Sequence, residues 1–117
     1  GLVTNGVLNR GSSSNVGEIG HMVLAIDGPD CWCGSRGCLE MLAAPRAVVA
    51  RALQHQSVVD GLGLLGTDDS VRSDFEAIAR AAADGDERCA ELIEDSARYV
   101  AIAVLSVVNL LDPDRVY

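Results

Sequence analysis

Three of the chain's four cysteines stand within residues 31–38, CWCGSRGC, and this cluster constrains the fold more than any other feature. Three thiols cannot all pair among themselves, and a disulfide between Cys31 and Cys33 would close a strained ring. A metal ion bound by thiolates is favoured instead, because Gly34 and Gly37 permit a tight backbone around one ion. His21 precedes the cluster by a short apolar run and a turn, and is the candidate for a fourth ligand.

Zinc is the ion that this donor set predicts, since Zn²⁺ takes four thiolate or imidazole ligands in a tetrahedron. With four protein ligands the coordination sphere is closed, so the ion would be structural and would not activate water. Two alternatives stay open: a redox pair of cysteines, or reduced thiols beside a solvated histidine with no ion. The predicted ligand set is His21, Cys31, Cys33 and Cys38.

Two glutamates flank this candidate site. Glu18 lies three residues before His21, and Glu40 lies two residues after Cys38. Their carboxylates could accept hydrogen bonds from the hydroxyls of a polar ligand, although solvated surface glutamates are an equally simple interpretation. Cys89 lies far from the cluster in a helical context and is expected to be a small core residue.

Composition limits the class of protein. The chain has 117 residues, the size of one domain, and carries a formal net charge of -8 with a sequence pI near 4.5. Such an acidic surface repels phosphate backbones and anionic membranes, so this segment is not expected to touch DNA itself. The apolar residues are mostly Ala, Val and Leu, with few aromatic side chains, which favours helices over an all-β sandwich.

The chain shows no targeting or membrane signal. No secretory leader opens the sequence, and the apolar stretch Val100 to Leu111 is too short to cross a bilayer, so we expect it to be a buried helix. Cytoplasmic residence without a membrane partner is the expectation. The start at Gly1 and the stop at Arg115-Val116-Tyr117, where a new strand is expected to begin, predict that the sequence is a piece of a longer polypeptide.

Local patterns predict a helix-rich α/β chain. Asn5-Gly6 between two β-prone runs predicts a hairpin, and MVLAI at residues 22–26 predicts a strand. Residues 1–26 are therefore expected to form a hairpin, a loop and a strand, residues 27–40 the zinc loop, and residues 41–117 mainly helices. Three helices are predicted: Leu39 to Gln54, a helix that opens with a capping box at Ser73 to Glu76 and runs through Ala83, and Glu87 to Leu111. A loop is expected over Gly61 to Asp69. His55 is expected to lie on the surface of a helix.

Two stretches then resemble a known family. Residues 17–21, GEIGH, and residues 31–40, CWCGSRGCLE, are similar to the motifs of the ROK family of repressors, open reading frames of unknown role and sugar kinases. The resemblance implies an actin-like, ribonuclease H-like α/β fold, of which residues 1–117 would be part of the C-terminal lobe.

The resemblance also implies roles for individual residues. It makes His21 and the three clustered cysteines zinc ligands, and it places Glu18, His21 and Glu40 against a sugar. Gly1 would be the last glycine of a phosphate-binding turn. The family's catalytic aspartate has no counterpart here, so no catalytic residue is assigned and the isolated chain is not expected to transfer phosphoryl groups.

Three functions remain open on this basis, and the resemblance favours the first. The first is the sugar-binding part of a transcriptional regulator that contacts DNA only through a domain outside this chain. The second is part of an ATP- and magnesium-dependent kinase of a hexose or N-acetylhexosamine, and the third is a zinc module without a ligand. The resemblance further implies a homodimer.

Overall fold

The computed structural model describes residues 1–116. It opens with a hairpin of two short strands, β1 (Leu2–Thr4) and β2 (Val7–Asn9), which pair antiparallel with Leu2 opposite Asn9. Asn5 and Gly6 form the turn with φ angles of 52° and 76°, the left-handed values that a two-residue hairpin loop requires. The predicted hairpin is confirmed.

The predicted strand over residues 22–26 is wrong. After a 3-10 turn at Ile19–His21, only one residue of this run pairs, in an isolated bridge between Val23 and Cys38. The backbone N–H of Leu24 donates to Gly37 O (2.9 Å), but the facing segment stays extended only until a helix begins at Leu39. The extended segment that faces residues 22–26 is therefore too short to form the series of backbone hydrogen bonds that a strand pair requires.

The predicted helix over Leu39 to Gln54 is two helices, α1 (Leu39–Ala43) and α2 (Pro45–Ala52). Ala44 between them is extended, with ψ at 156°. The pyrrolidine ring of Pro45 disfavours the helical region for the preceding residue, and proline itself suits the first position of a helix. The break therefore follows from Pro45.

Helix α3 (Gln56–Leu62) was not predicted, and only its last two residues fall within the expected loop over Gly61 to Asp69. It ends at Gly63, whose φ of 64° forms a left-handed cap. His55 is the half-buried residue immediately before α3, so its predicted position on a helix surface is wrong.

Helix α4 (Val71–Ala83) ends where predicted but begins earlier than the capping box at residues 73–76 implied. A 3-10 turn at Asp68–Ser70 leads into it, and Thr67 and Ser70 form the reciprocal cap. The Ser70 backbone N–H donates to Thr67 Oγ1 (3.3 Å), while the Thr67 backbone N–H donates to Ser70 Oγ (3.0 Å).

Helix α5 (Glu87–Leu111) has the predicted bounds. The Asp86 carboxylate accepts from the Cys89 backbone N–H (2.8 Å) and caps the N-terminus. At the other end Asp112 adopts a left-handed conformation before Pro113, which cannot continue a helix.

The core lies where α2, α4 and α5 pack together, with residues of α3 and the following loop beside them. Cys89 is fully buried there, as predicted, and burial raises the pKa of its thiol to about 11. The other buried members are Val48, Val49, Ala52, Val58, Leu64, Ile78 and Leu92.

The second half of α5 is not buried, contrary to the expectation for residues 100–111. Ala103 is the only buried residue of that stretch, and the side chains of Leu105 and Leu110 are 60% and 82% exposed. Within residues 1–116 the only sheet is the two-stranded hairpin, so no described layer covers this apolar surface. None of the helices within residues 1–116 has the length and apolar content needed to cross a membrane.

Candidate metal centre and ligand site

The four predicted metal ligands come together. One side-chain donor atom from each of His21, Cys31, Cys33 and Cys38 lies within 4.8 Å of all the others. The His21 Nδ1 to Cys31 Sγ distance is 3.7 Å, and the Cys33 Sγ to Cys38 Sγ distance is 3.6 Å. Zn–S bonds of about 2.3 Å and Zn–N bonds of about 2.0 Å give tetrahedral S···S edges of about 3.8 Å and N···S edges of about 3.5 Å, so both distances fit a single ion. This group could hold a metal ion.

The local backbone explains how the cysteines converge. The Cys31 backbone N–H donates to Ser35 O (2.8 Å) and the Gly34 N–H donates back to Cys31 O (3.0 Å), which closes a tight turn. The Gly37 N–H then donates to Pro29 O (2.8 Å). Gly37 has a φ of 65°, and a Cβ there would lie 1.7 Å from Ala25 O, so only glycine fits this crossing.

Two of the clustered thiols, Cys33 and Cys38, differ in their electrostatic environments. The Ser35 backbone N–H lowers the pKa of the exposed Cys33 thiol, whereas burial raises the pKa of Cys38 to about 11. All cysteines within the described residues are free of disulfides. Because a metal binds the thiolate form, metal binding would release protons, most of all from Cys38.

Glu40 lies against the imidazole ring of His21. The Glu40 Oε2 atom is 3.8 Å from His21 Nε2, the ring nitrogen that lies away from the cysteines. Glu40 itself belongs to the first turn of α1. His21 therefore has one nitrogen toward the thiols and the other toward a carboxylate. This arrangement places an acceptor beside the candidate metal centre.

Trp32 is part of the same group, and the sequence reasoning missed it. Its Nε1 atom lies 3.5 Å from Glu40 Oε1, and its ring meets the His21 ring edge to face, with centroids 4.6 Å apart and planes at 83°. The position of Trp32 between the predicted ligands Cys31 and Cys33 could have indicated that it lies at the site.

The structure does not bring Glu18 into this contact. Glu18 is exposed and directly precedes the 3-10 turn, where its carbonyl accepts from the His21 backbone N–H (3.1 Å). Its carboxylate makes no hydrogen bond or ion pair with any other residue of the described chain. Gly1 is exposed beside Gly17, where an added Cβ would lie 3.0 Å from Gly1 Cα.

Comparison with known proteins identifies the family. The ROK family profile matches residues 1–117, and the chain belongs to the ROK family. It is 34% identical over 121 residues, 99% of this chain, to the DNA-binding transcriptional dual regulator NagC of Escherichia coli strain K12. It is 36% identical over 116 residues, also 99% of this chain, to the kanosamine kinase of Amycolatopsis mediterranei.

Solved structures support the same fold. A ROK hexokinase from Thermus thermophilus matches 95% of this chain with a TM-score of 0.75 and 34% identity. A ROK family glucokinase from Streptomyces griseus, solved with glucose and AMPPNP, matches 92% with a TM-score of 0.73 and 30% identity. The predicted fold class is confirmed: a helix-rich part of the actin-like α/β fold of these sugar kinases.

The match covers only part of each relative. The chain spans 28% of the regulator's length and 34% of the kanosamine kinase's length. In the two solved structures it covers 33% and 36% of the chain. One regulator and one kinase are thus similar to this chain to nearly the same degree.

Proposed function

We propose that this chain is the zinc-stabilised, sugar-binding portion of a ROK sugar-responsive transcriptional regulator. The observation that carries the proposal is the convergence of His21 and the three cysteines beside Glu40. In this account zinc binds His21, Cys31, Cys33 and Cys38 and supplies structural crosslinking of the loop. The closed ligand set leaves no position for an activated water.

The sugar-facing residues in this proposal are Glu18, His21 and Glu40. His21 Nδ1 faces the thiols, so the opposite nitrogen is free to carry a proton toward Glu40 or a sugar hydroxyl. Glu40 offers an ionised acceptor, which forms stronger hydrogen bonds to hydroxyls than a neutral one. The match to NagC over nearly the whole chain supports a regulator.

The acidic charge of this chain supports the proposal that DNA is contacted through another part of the protein. Free cysteines suit the reducing cytoplasm, where we place the protein. The homodimer stays a prediction from the family, as does the position of residues 1–117 in the C-terminal lobe.

A sugar kinase is the second candidate. It is supported by the similarity to kanosamine kinase and by a 48% identity over 48 residues to the N-acetylmannosamine kinase of Vibrio cholerae. In a kinase, ATP and magnesium would join the sugar, with Gly1 near the phosphates. Within residues 1–117 we assign no catalytic residue.

Three measurements on the full-length protein separate the candidates: sugar binding, phosphorylation, and sugar-dependent release of an operator DNA. Calorimetric titration with a panel of hexoses and N-acetylhexosamines tests sugar binding, and a coupled assay with ATP and the same panel tests phosphorylation. Binding without turnover, together with sugar-dependent release of an operator DNA, is the expected result. Turnover of a bound sugar would establish the kinase, and absence of binding to every sugar tested would contradict the proposed site.

A further inference from the structure

We propose that Trp32 is a further sugar-contacting residue, whose indole face stacks on the apolar C–H face of a pyranose held by Glu40 and His21. The inference rests on the proposed sugar-binding function and adds a specificity-determining residue to that site. It follows from the position and exposure of Trp32 and from its two side-chain contacts.

Trp32 is the chain's single tryptophan, and its side chain is 76% exposed. Tryptophan is usually largely buried, because leaving so much apolar surface in water forfeits a large hydrophobic contribution. An isolated exposed apolar residue such as Leu65 (72% exposed) requires no explanation. Trp32 differs from Leu65 because it stands directly against a candidate binding group.

Its contacts hold the ring at that group. The indole Nε1–H points to Glu40 Oε1 at 3.5 Å, and the ring packs edge to face with His21. The Cys31 to Ser35 turn restrains the backbone on either side. The ring is therefore partly preorganised, which reduces the entropy lost on binding.

The chemistry of the exposed ring selects the ligand class. An aromatic face carries negative charge density, and the C–H groups on one side of a pyranose are weakly positive and apolar. A carboxylate next to that face accepts hydrogen bonds from the equatorial hydroxyls at the ring rim. A pyranose presents both features together, so Trp32 and Glu40 form complementary parts of one site.

The test is calorimetric titration of the protein and its Trp32→Phe, Trp32→Ala and Leu65→Ala variants with glucose and N-acetylglucosamine. Trp32→Ala is expected to weaken binding about tenfold, and Trp32→Phe to bind within about threefold of the unmodified protein, as loss of aromatic stacking implies. Leu65→Ala is expected to bind normally. Zinc content, measured on each variant, is expected to stay unchanged.

Two outcomes would overturn the inference alone. Binding by Trp32→Ala equal to that of the unmodified protein would show that the ring contributes nothing. Equal weakening in Trp32→Phe and Trp32→Ala would assign the effect to the N–H contact instead of the ring face. Failure of the unmodified protein to bind any sugar would contradict the proposed function and this inference together.

A second measurement covers the case in which Trp32→Ala perturbs the loop. Intermolecular nuclear Overhauser effects are expected between the indole protons of Trp32 and the ring C–H protons of the bound sugar, and between the phenyl protons of Trp32→Phe and the same sugar protons. Sugar that binds without these effects would overturn the stacking.

Discussion

The two nitrogens of His21 face two different groups: Nδ1 lies 3.7 Å from Cys31 Sγ, and Nε2 lies 3.8 Å from Glu40 Oε2. A metal bound through Nδ1 would leave the proton on Nε2 and fix the orientation of the ring. Under the proposed function, one imidazole thus links the metal centre to the sugar site. Loss of the metal should therefore weaken sugar binding and also reduce the order of the loop.

Replacement of the carboxylate tests the sugar contact. Glu40→Gln keeps the shape of the side chain but removes its charge, and Glu18→Gln does the same at the second proposed contact. Each is expected to weaken sugar binding about tenfold or more in calorimetric titrations, because hydrogen bonds to charged groups contribute about 1.5–3 kcal/mol. Glu76→Gln, on the exposed pair with Arg72, is the matched control. Unaltered binding by both site variants would show the assigned contacts to be wrong.

Removal of one thiolate tests the metal centre. Cys33→Ser is expected to lower zinc affinity and to increase amide hydrogen exchange over residues 21–40, while the overall helical circular dichroism persists. A strong chelator or mild acid should reproduce both effects. Cys89→Ser alters a buried cysteine of the core and is expected to retain zinc. Equal zinc retention by Cys33→Ser and the unmodified protein would contradict the ligand assignment.

Two glycines of the loop offer a matched pair. Gly34 and Gly37 both have positive φ angles, 89° and 65°, so alanine is strained at either position. At Gly34 no atom lies within 4 Å of an added Cβ, and Gly34→Ala is expected to cost about 1 kcal/mol. At Gly37 the Cβ would meet Ala25 O at 1.7 Å, so Gly37→Ala should also separate the paired segments and reduce zinc binding. Thermal unfolding measures the stability of both variants, and metal analysis measures their zinc content. Equal stability and equal zinc content in Gly34→Ala and Gly37→Ala would contradict the close approach of Gly37 to Ala25.

Sequence was sufficient where short-range signals determine the structure. The bounds of α5 follow from Asp86 and from Asp112-Pro113, which act within a few residues of the helix ends. The hairpin likewise follows from Asn5-Gly6. The metal ligand group could be predicted because three of its members share one loop.

Other features depend on contacts between distant residues. Helix α3 begins after His55, which supplies no side-chain cap, so no local signal marks its start. A strand over residues 22–26 would need an extended segment of similar length to pair with. The residues after Cys38, which would supply it, form helix α1 instead. Trp32 reaches Glu40 through the turn of the cysteine loop, which spacing alone does not reveal.

Asp74 is expected to stabilise the start of α4. Its side chain is only 4% exposed and accepts from Ser70 Oγ (2.7 Å) and from the backbone N–H groups of Gly66 (2.9 Å) and Leu65 (3.3 Å). Asp74→Asn would turn an acceptor into a donor facing these groups and should lower the free energy of unfolding by about 1–3 kcal/mol in urea titrations. Asp84→Asn, at an exposed helix end, is the control. Equal stability of the two variants would contradict this role.

The same contacts predict a pH dependence. Burial alone would raise the pKa of Asp74, but the hydrogen bonds from Ser70, Gly66 and Leu65 outweigh it and lower the pKa below the ordinary 3.8. The carboxylate therefore stabilises the fold fully above pH 3.8, and this contribution is lost as the pH falls through the folded-state pKa. The difference in the free energy of unfolding between the unmodified protein and Asp74→Asn should therefore narrow as the pH falls through the folded-state pKa. A constant difference on acidification would argue against the shift.

X-ray absorption at the zinc edge of the purified protein tests the central claim most directly, because it reports both the identity of the ion and its ligands. The account predicts bound zinc with three sulfur neighbours at about 2.3 Å and one nitrogen at about 2.0 Å, the shell of three cysteines and His21. A protein without bound zinc, or a zinc shell made only of nitrogen and oxygen, would contradict it.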